Sequence, residues 1–444
     1  MTNFEGNQNF KNSGVQWLGY IPADWKTTKI KWLTSIKRGA SPRPIDDPKY
    51  FDDQGEYAWV RIADVSKSKM YLEITTQRMS GLGSSLSIKR EPGDIFLSIA
   101  GTVGKPCITN VKCCIHDGFV YFPNYKGDVR FLYYIFESGE PYKGLGKMGT
   151  QLNLNTDIVG AIVIPDINMN LQKAISDYLD SKTQEIDSLI AAKEKLIDLL
   201  EEKRQSMITE AVTKGLNPNV KMKDSCVEWI GEIPEHWEVN KIGYLGRLQN
   251  GISKSADEFG HGYSFVSYSD VYKNTTLPQA VNGLVNSSEE EQELYSVREG
   301  DVFFTRTSET IEEIGISSTC LKTIDKATFA GFLIRFRPTT QKLLASYSKY
   351  YFRSDLGRRY FVKEVNLVTR ASLGQGLLRN FPVILPPLEE QKGIAEYLDI
   401  RTRATDESIN LIKIQIKKLK NYRQSLIYEA VTGKIDVRDF KVES

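Results

Sequence analysis

Long apolar runs, an export signal and a marked excess of basic residues are all missing from this 444-residue sequence. No apolar stretch approaches the roughly 20 residues that a membrane-spanning helix requires. The amino-terminal segment MTNFEGNQNFKNSG has neither the basic start nor the apolar core of a secretory signal. With 41% hydrophobic and 26% charged residues, the sequence predicts a globular protein of the cytoplasm with two or three domains.

Metal sites and disulfides are not indicated either. The cysteines form no spaced pairs, and the histidines form no His-x-x-x-His pair, so neither a zinc site nor a disulfide framework fits. These residues are Cys107, Cys113, Cys114, Cys226 and Cys320, with His116, His236 and His261. The sequence therefore predicts a reducing compartment and no metal bound by this chain.

Motifs for catalysis are absent as well. There is no Gly-x-x-x-x-Gly-Lys-Ser/Thr phosphate loop, and residues 144–146 (Gly-Leu-Gly) are too short for a dinucleotide fingerprint. Amino-methyltransferases carry an Asn/Asp-Pro-Pro-aromatic segment, whereas Pro386-Pro387 is followed here by Leu388. The prediction is a chain without catalytic residues or cofactors of its own.

Charge leaves the nature of the partner open. Lys and Arg number 58 and Asp and Glu 56, so the net charge is only +2. Nucleic-acid-binding proteins usually carry a larger positive charge, although a local basic groove would serve the same purpose.

What the sequence does contain is an internal repeat with a period near half its length. Residues 15–25 (VQWLGYIPADW) return as residues 227–237 (VEWIGEIPEHW), so that Trp229 follows Trp17 by 212 residues. The chain has only 6 tryptophans, which makes two pairs at matching positions a strong signal. Gly and Pro favour a tight turn here, and the Trp rings are expected to anchor it to a domain.

Further pairs flank the divergent interiors of the two copies. Residues 91–98 match 298–305 at a Gly-Asp turn before an apolar strand, 171–180 match 390–399, and 204–213 match 423–432. Only the ends of each copy match closely. This pattern predicts one scaffold used twice with two different surfaces.

Each copy ends in a long predicted helix. Residues 171–213 contain neither Pro nor Gly, and Gly215 and Gly433 stand where C-cap glycines would end the two helices. Apolar or long-stemmed residues recur in steps of three and four along a predicted seam: Ile190, Lys193, Ile197, Leu200, Arg204, Met207 and Ala211, then Ile409, Ile412, Ile416, Leu419, Arg423, Leu426 and Ala430. Such seams favour an antiparallel coiled coil of about 65 Å with one globular domain at each end. The alternative is two surface helices, each packed on its own domain.

Three motifs carry a resemblance to a known family. They are the Trp-Leu-Gly-x-Ile-Pro-x-x-Trp segment at Trp17 with its copy at Trp229, residues 148–154 (MGTQLNL) followed by 162–165 (IVIP), and residues 385–394 (LPPLEEQKGI). Together they resemble the specificity subunits of type I restriction-modification systems over essentially the whole chain. The first copy departs from the family pattern at residues 165–172, which are longer than the Pro-Pro-Leu-Glu-Glu-Gln form.

The resemblance implies an architecture and a set of partners. The fold would be α+β, with two strand-rich target-recognition domains separated by a pseudo-twofold pair of antiparallel spacer helices. The predicted ranges are 1–168 and 215–387 for the two domains, 169–214 and 388–433 for the helices, and 434–444 for a tail. The chain would bind a bipartite double-stranded DNA sequence together with two modification subunits, which supply S-adenosylmethionine. Two restriction subunits using ATP and Mg are possible further partners.

DNA-contacting residues are expected among polar and basic loop residues, because such side chains reach phosphates and base edges. The candidates in the first copy are Arg38, Arg43, Lys67, Lys69, Lys105, Thr150, Gln151 and Asn153. Those in the second are Lys254, Lys273, Arg306, Thr307, Ser308, Arg370 and Gln375. For each basic residue the alternative is an ordinary solvated charge, and Gln151 and Asn153 could equally satisfy backbone groups.

Two other functions stay open at this point. One is a non-enzymatic coiled-coil adaptor whose globular units bind proteins, and the other is a stand-alone nuclease or methyltransferase. Selection from random duplex DNA separates the first from a DNA-recognition subunit. Turnover by the purified chain without partners would support the second.

Overall fold

The structure is a computed structural model that describes residues 9–143, 154–308, 314–364, 371–438 and 440. Contacts divide the chain into a first unit, residues 1–193 with 414–444, and a second unit, residues 194–413. Each long helix contributes residues to both units. The domain boundaries expected at residues 168, 214, 387 and 433 stay predictions.

The first globular part is built from short strands and helices. Its strands are β1 (Phe10–Asn12), β2 (Tyr20–Pro22), β3 (Lys26–Lys29), β4 (Lys37–Arg38), β5 (Tyr57–Val60), β6 (Tyr71–Leu72), β7 (Gln77–Met79), β8 (Ile88–Arg90), β9 (Ile95–Ser98), β10 (Pro106–Thr109), β11 (Cys113–Ile115), β12 (Phe119–Tyr121) and β13 (Val163–Asp166). Its helices are α1 (Ile30–Leu33), α2 (Ile62–Lys67), α3 (Gly81–Ser85), α4 (Val129–Glu137) and α5 (Thr156–Ala161), followed by the long α6 (Met169–Lys214). Two 3-10 turns cover Pro48–Tyr50 and Glu140–Tyr142.

Two sheets form the centre of the first unit. One has the strand order β4-β12-β9-β10-β6 and the other β7-β5-β11-β8, with the pairs β1-β2 and β13-β3 beside them. Strands β9, β10, β11 and β12 are buried along their whole length, as expected of the apolar runs that encode them. Phe96, Cys107 and Phe119 are among the fully buried side chains of their shared core.

The second globular part repeats the central elements of the first in the same order. Its strands are β14 (Met222–Asp224), β15 (Glu232–Pro234), β16 (Glu238–Lys241), β17 (Gly246–Asn250), β18 (Phe259–Val266), β19 (Leu284–Val285), β20 (Val302–Thr305), β21 (Thr307–Ser308), β22 (Ser317–Thr319), β23 (Thr328–Phe329), β24 (Leu333–Pro338), β25 (Ala371–Ser372) and β26 (Pro382–Leu385). Its helices are α7 (Ile242–Leu245), α8 (Tyr268–Lys273), α9 (Glu289–Leu294), α10 (Ala345–Tyr351), α11 (Asp355–Glu364) and α12 (Gln375–Arg379), followed by the long α13 (Leu388–Val431). A 3-10 turn covers Ala256–Glu258.

Sheet topology confirms that one scaffold is used twice. The order β17-β24-β20-β22 of the second unit corresponds to β4-β12-β9-β10 of the first. The parallel pair β18-β23 corresponds to β5-β11, and β16-β26 corresponds to β3-β13. In both units the strand before helix α2 or α8 ends in a valine, Val60 or Val266, and an aspartate in the first turn of that helix, Asp64 or Asp270, accepts from the backbone N–H of the N-cap residue.

The long helices α6 and α13 run antiparallel to each other within each unit. In the first unit Arg423 Nε donates to Asp187 Oδ1 at 3.0 Å, and Lys193 Nζ donates to Gln415 Oε1 at 2.7 Å. Residue numbers therefore fall along α13 as they rise along α6, and in the second unit Arg204 of α6 pairs with Asp406 of α13. The predicted seam residues are buried or half-buried, and their place in a seam between the two helices stays a prediction. Gly215 and Gly433 adopt left-handed φ values of 77° and 73°, as expected of glycines that end a helix.

Repeated glutamines of the motifs hold each helix to the globular part that precedes it. Gln172 Oε1 accepts from Asp128 N at 2.8 Å, and Gln391 Oε1 accepts from Leu344 N at 2.9 Å. Each side-chain amide also donates to a carbonyl just before its own helix, that of Ile167 or Pro386. These hydrogen bonds account for the spacing of the pre-helix motif.

The second repeated glutamine has an equivalent role near the carboxyl end of each long helix. Gln424 Nε2 donates to the carbonyl of Glu137 at 3.1 Å, and Gln205 Nε2 donates to that of Arg353 at 3.4 Å. Each globular part is therefore held by both long helices. The α+β class, the two similar units and the antiparallel helix pair are confirmed. No helix in the described ranges combines the length and apolar character needed to span a membrane.

Candidate nucleic-acid interface

Backbone hydrogen bonds define which residues of the two units are equivalent. Gly39 N donates to Phe119 O at 2.9 Å, and Gly251 N donates to Leu333 O at 3.3 Å, in corresponding sheets. A Cβ at either glycine would lie 2.1 or 2.2 Å from a carbonyl oxygen, so a close backbone approach requires glycine at both sites. The residues just before them, Arg38 and Asn250, therefore occupy the same position at the end of edge strands β4 and β17.

In the first unit two predicted DNA-contacting arginines converge on one residue. Arg38 Nε donates to the backbone carbonyl of Asp117, and Arg43 Nη2 lies 3.0 Å from Asp117 Oδ2. Both arginines are exposed, with 74% of the Arg43 side chain accessible. Asp117, which follows the strand that ends at Ile115, is thus the acceptor for Arg43, which lies in a loop 74 residues earlier in the chain.

Arg43 and Asp117 line an open cleft of about 820 Å³ in the first unit. The other polar and aromatic residues that line the cleft are Ser41, Asp46, Phe51, Asp52, Asp53, Trp59, Arg61, Gln77 and His116. Arg61 Nη2 donates to Gln77 Oε1, and the rings of Trp59 and His116 lie 5.8 Å apart. Because four aspartates and only two arginines line it, the cleft does not favour the binding of a phosphate group. Its mixture of donors and acceptors suits the polar edges of bases.

His116 is held neutral in this cleft. Its Nδ1 accepts from the N–H of Gly118 at 2.8 Å, which places the ring proton on Nε2. Burial lowers the pKa of His116 below its ordinary value, and the opposing effect of the neighbouring Asp117 carboxylate is smaller. The imidazole therefore presents a neutral N–H donor at neutral pH.

Other predicted residues of the first unit lie elsewhere. Lys67 and Lys69 are exposed and line a separate groove of about 1160 Å³. Lys69 Nζ is 4.0 Å from Asp187 Oδ2 on α6, and Arg423 lines the same groove. Lys105 is half-buried just after the glycine turn. The three lysines therefore do not form one site with Arg38 and Arg43.

Several predicted residues lie outside the described residues. These are Thr150, Gln151, Asn153 and Arg370, together with the side chain of Ser308.

In the second unit Arg306 and Thr307 follow the buried strand β20. Arg306 N donates to Phe332 O at 2.9 Å, and the Arg306 carbonyl accepts from Leu373 N at 2.7 Å. The equivalent bond in the first unit runs from Ile99 N to Gly118 O. A half-exposed arginine thus stands where the first unit has a buried isoleucine, and Thr307 pairs with Ser372 beside it.

The remaining predicted residues of the second unit differ in their surroundings. Gln375 Nε2 donates to Asn250 Oδ1 at 3.0 Å, and both amides are half-buried. Lys273 is exposed at the end of α8, as Lys67 is at the end of α2. Lys254 Nζ lies 2.8 Å from Glu291 and 3.2 Å from Glu258, so its charge is already neutralised within the unit.

Sequence reasoning missed three residues of this surface: His116, Asp117 and Asn250. Asn250 follows Arg38 by 212 residues, the same period that separates the tryptophans, so the repeat contained a signal for it. Nothing in the sequence ties Asp117 to Arg38 or Arg43, because that contact depends on the pairing of strands. No group of three or more potential metal ligands occurs among the described residues.

Comparison with known proteins identifies relatives of both halves. A family model described as the type I restriction modification DNA specificity domain matches residues 22–201 and 234–418. The putative type I restriction enzyme MjaX specificity subunit of Methanocaldococcus jannaschii is 26% identical over 98% of both chains. The EcoKI specificity subunit of Escherichia coli is 26% identical over 94% of this chain and 90% of the relative.

A solved structure shows the same fold over nearly the whole length. It comes from work on complex assembly and conformational transition of the type I R-M system, and it aligns with a TM-score of 0.71 at 15% identity. The alignment covers 94% of this chain and 99% of that one.

Proposed function

This chain belongs to the family of type I restriction modification DNA specificity domains, and we propose that each of its two units reads one half-site of a bipartite DNA sequence. Membership makes the chain the DNA-recognition subunit of a type I restriction-modification complex. The division of the target between the units is the proposal.

One observation supports this division of labour. The two units share a hydrogen-bonded backbone frame, whereas the polar side chains around that frame differ. The first unit carries arginines on Asp117, and the second carries Arg306 and the Asn250–Gln375 amide pair. Base edges in the major groove are distinguished by such side chains. Two different surfaces on one frame are therefore expected to select two different half-sites.

The partners and cofactors follow from this role. The chain acts with two modification subunits, which bind S-adenosylmethionine and methylate adenine, and with restriction subunits that use ATP and Mg where these are present. The long helices would set the half-site spacing and dock the modification subunits. The chain itself contributes no catalytic residues or cofactor, and it works in the cytoplasm, where its DNA target lies.

Selection from random duplex DNA by the chain in complex with its modification subunits tests this proposal. The expected result is a split motif with two short conserved blocks. Failure to enrich any sequence would instead favour a protein-binding adaptor.

Arg306→Ala then tests the assignment of a half-site to the second unit. Loss of a base contact should reduce the preference at one base pair of one block by roughly 5- to 150-fold and leave the other block intact. Arg247→Ala, an exposed arginine of the same unit, is the matched control for the lost charge. Unchanged blocks in Arg306→Ala would contradict the assignment.

A further inference from the structure

We propose that Arg38 and Asn250 are the same base-reading position in the two units, selecting guanine and adenine respectively, and that the backbone carbonyl of Asp117 and the side-chain amide of Gln375 position them. This inference rests on the half-site function proposed above. It names the residue of each unit that contacts a base and the base that this residue selects.

Equivalence of the two positions comes from strand register. Arg38 pairs with Val120 across β4 and β12, and Asn250 pairs with Ile334 across β17 and β24. Each lies on an edge strand, immediately before the glycine that approaches a neighbouring carbonyl. Both side chains remain accessible, since Arg38 is exposed and Asn250 half-buried. The shared backbone thus places a polar side chain at the same position of each unit, and the type of side chain differs between the units.

Each of these side chains is oriented by a residue from a distant segment. Asp117 lies 79 residues after Arg38, and Gln375 lies 125 residues after Asn250. The holding groups differ, because a backbone carbonyl accepts from Arg38 whereas a side-chain amide donates to Asn250. A polar side chain held by a hydrogen bond, to a backbone carbonyl for Arg38 and to a side-chain amide for Asn250, is preorganised, which a recognition site needs.

The chemistry of the two side chains indicates different bases. Arg38 is engaged through Nε, and no described residue accepts a hydrogen bond from its Nη groups. A guanidinium fork matches the O6 and N7 acceptors of guanine. The Asn250 amide matches N6 and N7 of adenine, and its Oδ1 has a second lone pair beyond the one that Gln375 uses.

Stability measurements alone would not distinguish this role from an ordinary surface contact, since exposed charge contacts contribute little to folding. Base preference does distinguish them. A base contact changes one letter of the motif, whereas a phosphate contact weakens binding to all sequences alike.

The experiment is DNA selection with the complete complex carrying Arg38→Ala, Arg38→Lys, Asp117→Asn or Asn250→Ala. Lys37→Ala, an exposed neighbour on β4, controls for loss of one positive charge, and Asn282→Ala controls for loss of an exposed amide in the second unit. Melting temperatures check that every variant is folded.

Arg38→Ala should relax a guanine in one block by roughly 5- to 150-fold, and Arg38→Lys should do the same because lysine lacks the planar fork. Asp117→Asn keeps the backbone carbonyl that accepts from Arg38, so it should retain this guanine. Asn250→Ala should relax an adenine in the other block. The controls should retain both blocks.

Two results would overturn the inference while leaving the proposed function intact. One is a split motif that is unchanged in Arg38→Ala and Asn250→Ala. The other is an equal loss of affinity for all sequences in Arg38→Ala and Lys37→Ala, which would make Arg38 a phosphate contact. Absence of any motif with the unaltered chain would instead refute the half-site function itself.

Discussion

The Gly-Asp turns of the two units share their backbone role but differ in their electrostatics. Asp94 Oδ2 accepts from Glu91 N at 3.0 Å, and Asp301 Oδ2 accepts from Arg298 N at 2.8 Å. The Asp301 side chain is fully buried and lies 2.6 Å from Arg337, whereas 40% of the Asp94 side chain is exposed. The repeated motif thus forms the same turn in both units, whereas the burial and the ion pairing of its carboxylate differ.

A second comparison concerns the tryptophans of the repeated amino-terminal segments. Glu390 accepts from Trp237 Nε1 at 3.0 Å and lies 2.6 Å from His236 Nε2. The first unit has Leu171 at the position of Glu390, in the segment where the pre-helix motif departs from the family pattern. Trp25 is nevertheless buried, as Trp237 is. Burial of the ring is therefore the shared requirement, and the polar link belongs to one unit only.

Together these differences separate what the repeat maintains from what it varies. It maintains turns, ring burial and the glutamines that hold the long helices. It varies ion pairs and the exposed polar side chains. The same substitution at equivalent positions of the two units should therefore change the stability of the protein by different amounts, and measuring these amounts tests the comparison.

Asp301→Ala is expected to have the largest effect. Removing the carboxylate leaves Arg337 with only the hydrogen bonds to Ser296 and without a counter-charge, beside the buried Arg335, whose pKa burial lowers to about 10. Loss of one member of a buried ion pair costs about 3–5 kcal/mol. Asp94→Ala should cost about 1 kcal/mol, the value of the turn hydrogen bond. Urea denaturation of both variants measures the difference, and equal losses would contradict the comparison.

Gln391→Ala comes next. Its fully buried amide serves Leu344 N and the carbonyls of Lys342 and Pro386, at 2.9, 2.8 and 2.9 Å. Leaving these groups unsatisfied should cost about 2–3 kcal/mol.

Gln172→Ala, at the equivalent and half-buried position, is the matched variant and should cost less, since it serves one carbonyl fewer. Denaturation should therefore rank Gln391→Ala below Gln172→Ala in stability. The opposite order would show that burial does not govern the two sites.

The sequence predicted the long-range organisation well because its signals are strong and local. The absence of Pro and Gly over residues 171–213 and the glycines that follow specify a helix that the structure places at Met169–Lys214. The repeat of tryptophans and glutamines specifies a common frame. These features depend on residues close together in the chain.

Individual strands and the DNA-reading surface were harder to predict. Many strands have only two to four residues, too few for a clear alternating pattern, and they pair with distant segments. Asp117 meets Arg38 only because β12 pairs with β4 and turns back from β11. Which of the predicted basic residues contact DNA stays a prediction.

The smallest expected effect concerns His116, which has Ala330 as its counterpart. Because burial lowers its pKa, the folded protein keeps His116 neutral at a pH where the unfolded chain, with an ordinary value of about 6.5, already binds a proton. The unfolded state then binds more protons, so this residue makes stability fall as pH drops from 7 to 5.

His116→Asn should reduce that acid sensitivity, since its Oδ1 can replace Nδ1 as acceptor for the Gly118 N–H without titrating. The measurement is the melting temperature between pH 7 and pH 5, with the exposed His261→Asn of the second unit as the matched control. Because Ala330 does not titrate, the first unit alone should supply this component of the pH dependence. A profile for His116→Asn that superimposes on that of the unaltered protein would show that the cleft does not keep this imidazole neutral, and the contrast between the two units would then lie in side-chain shape alone.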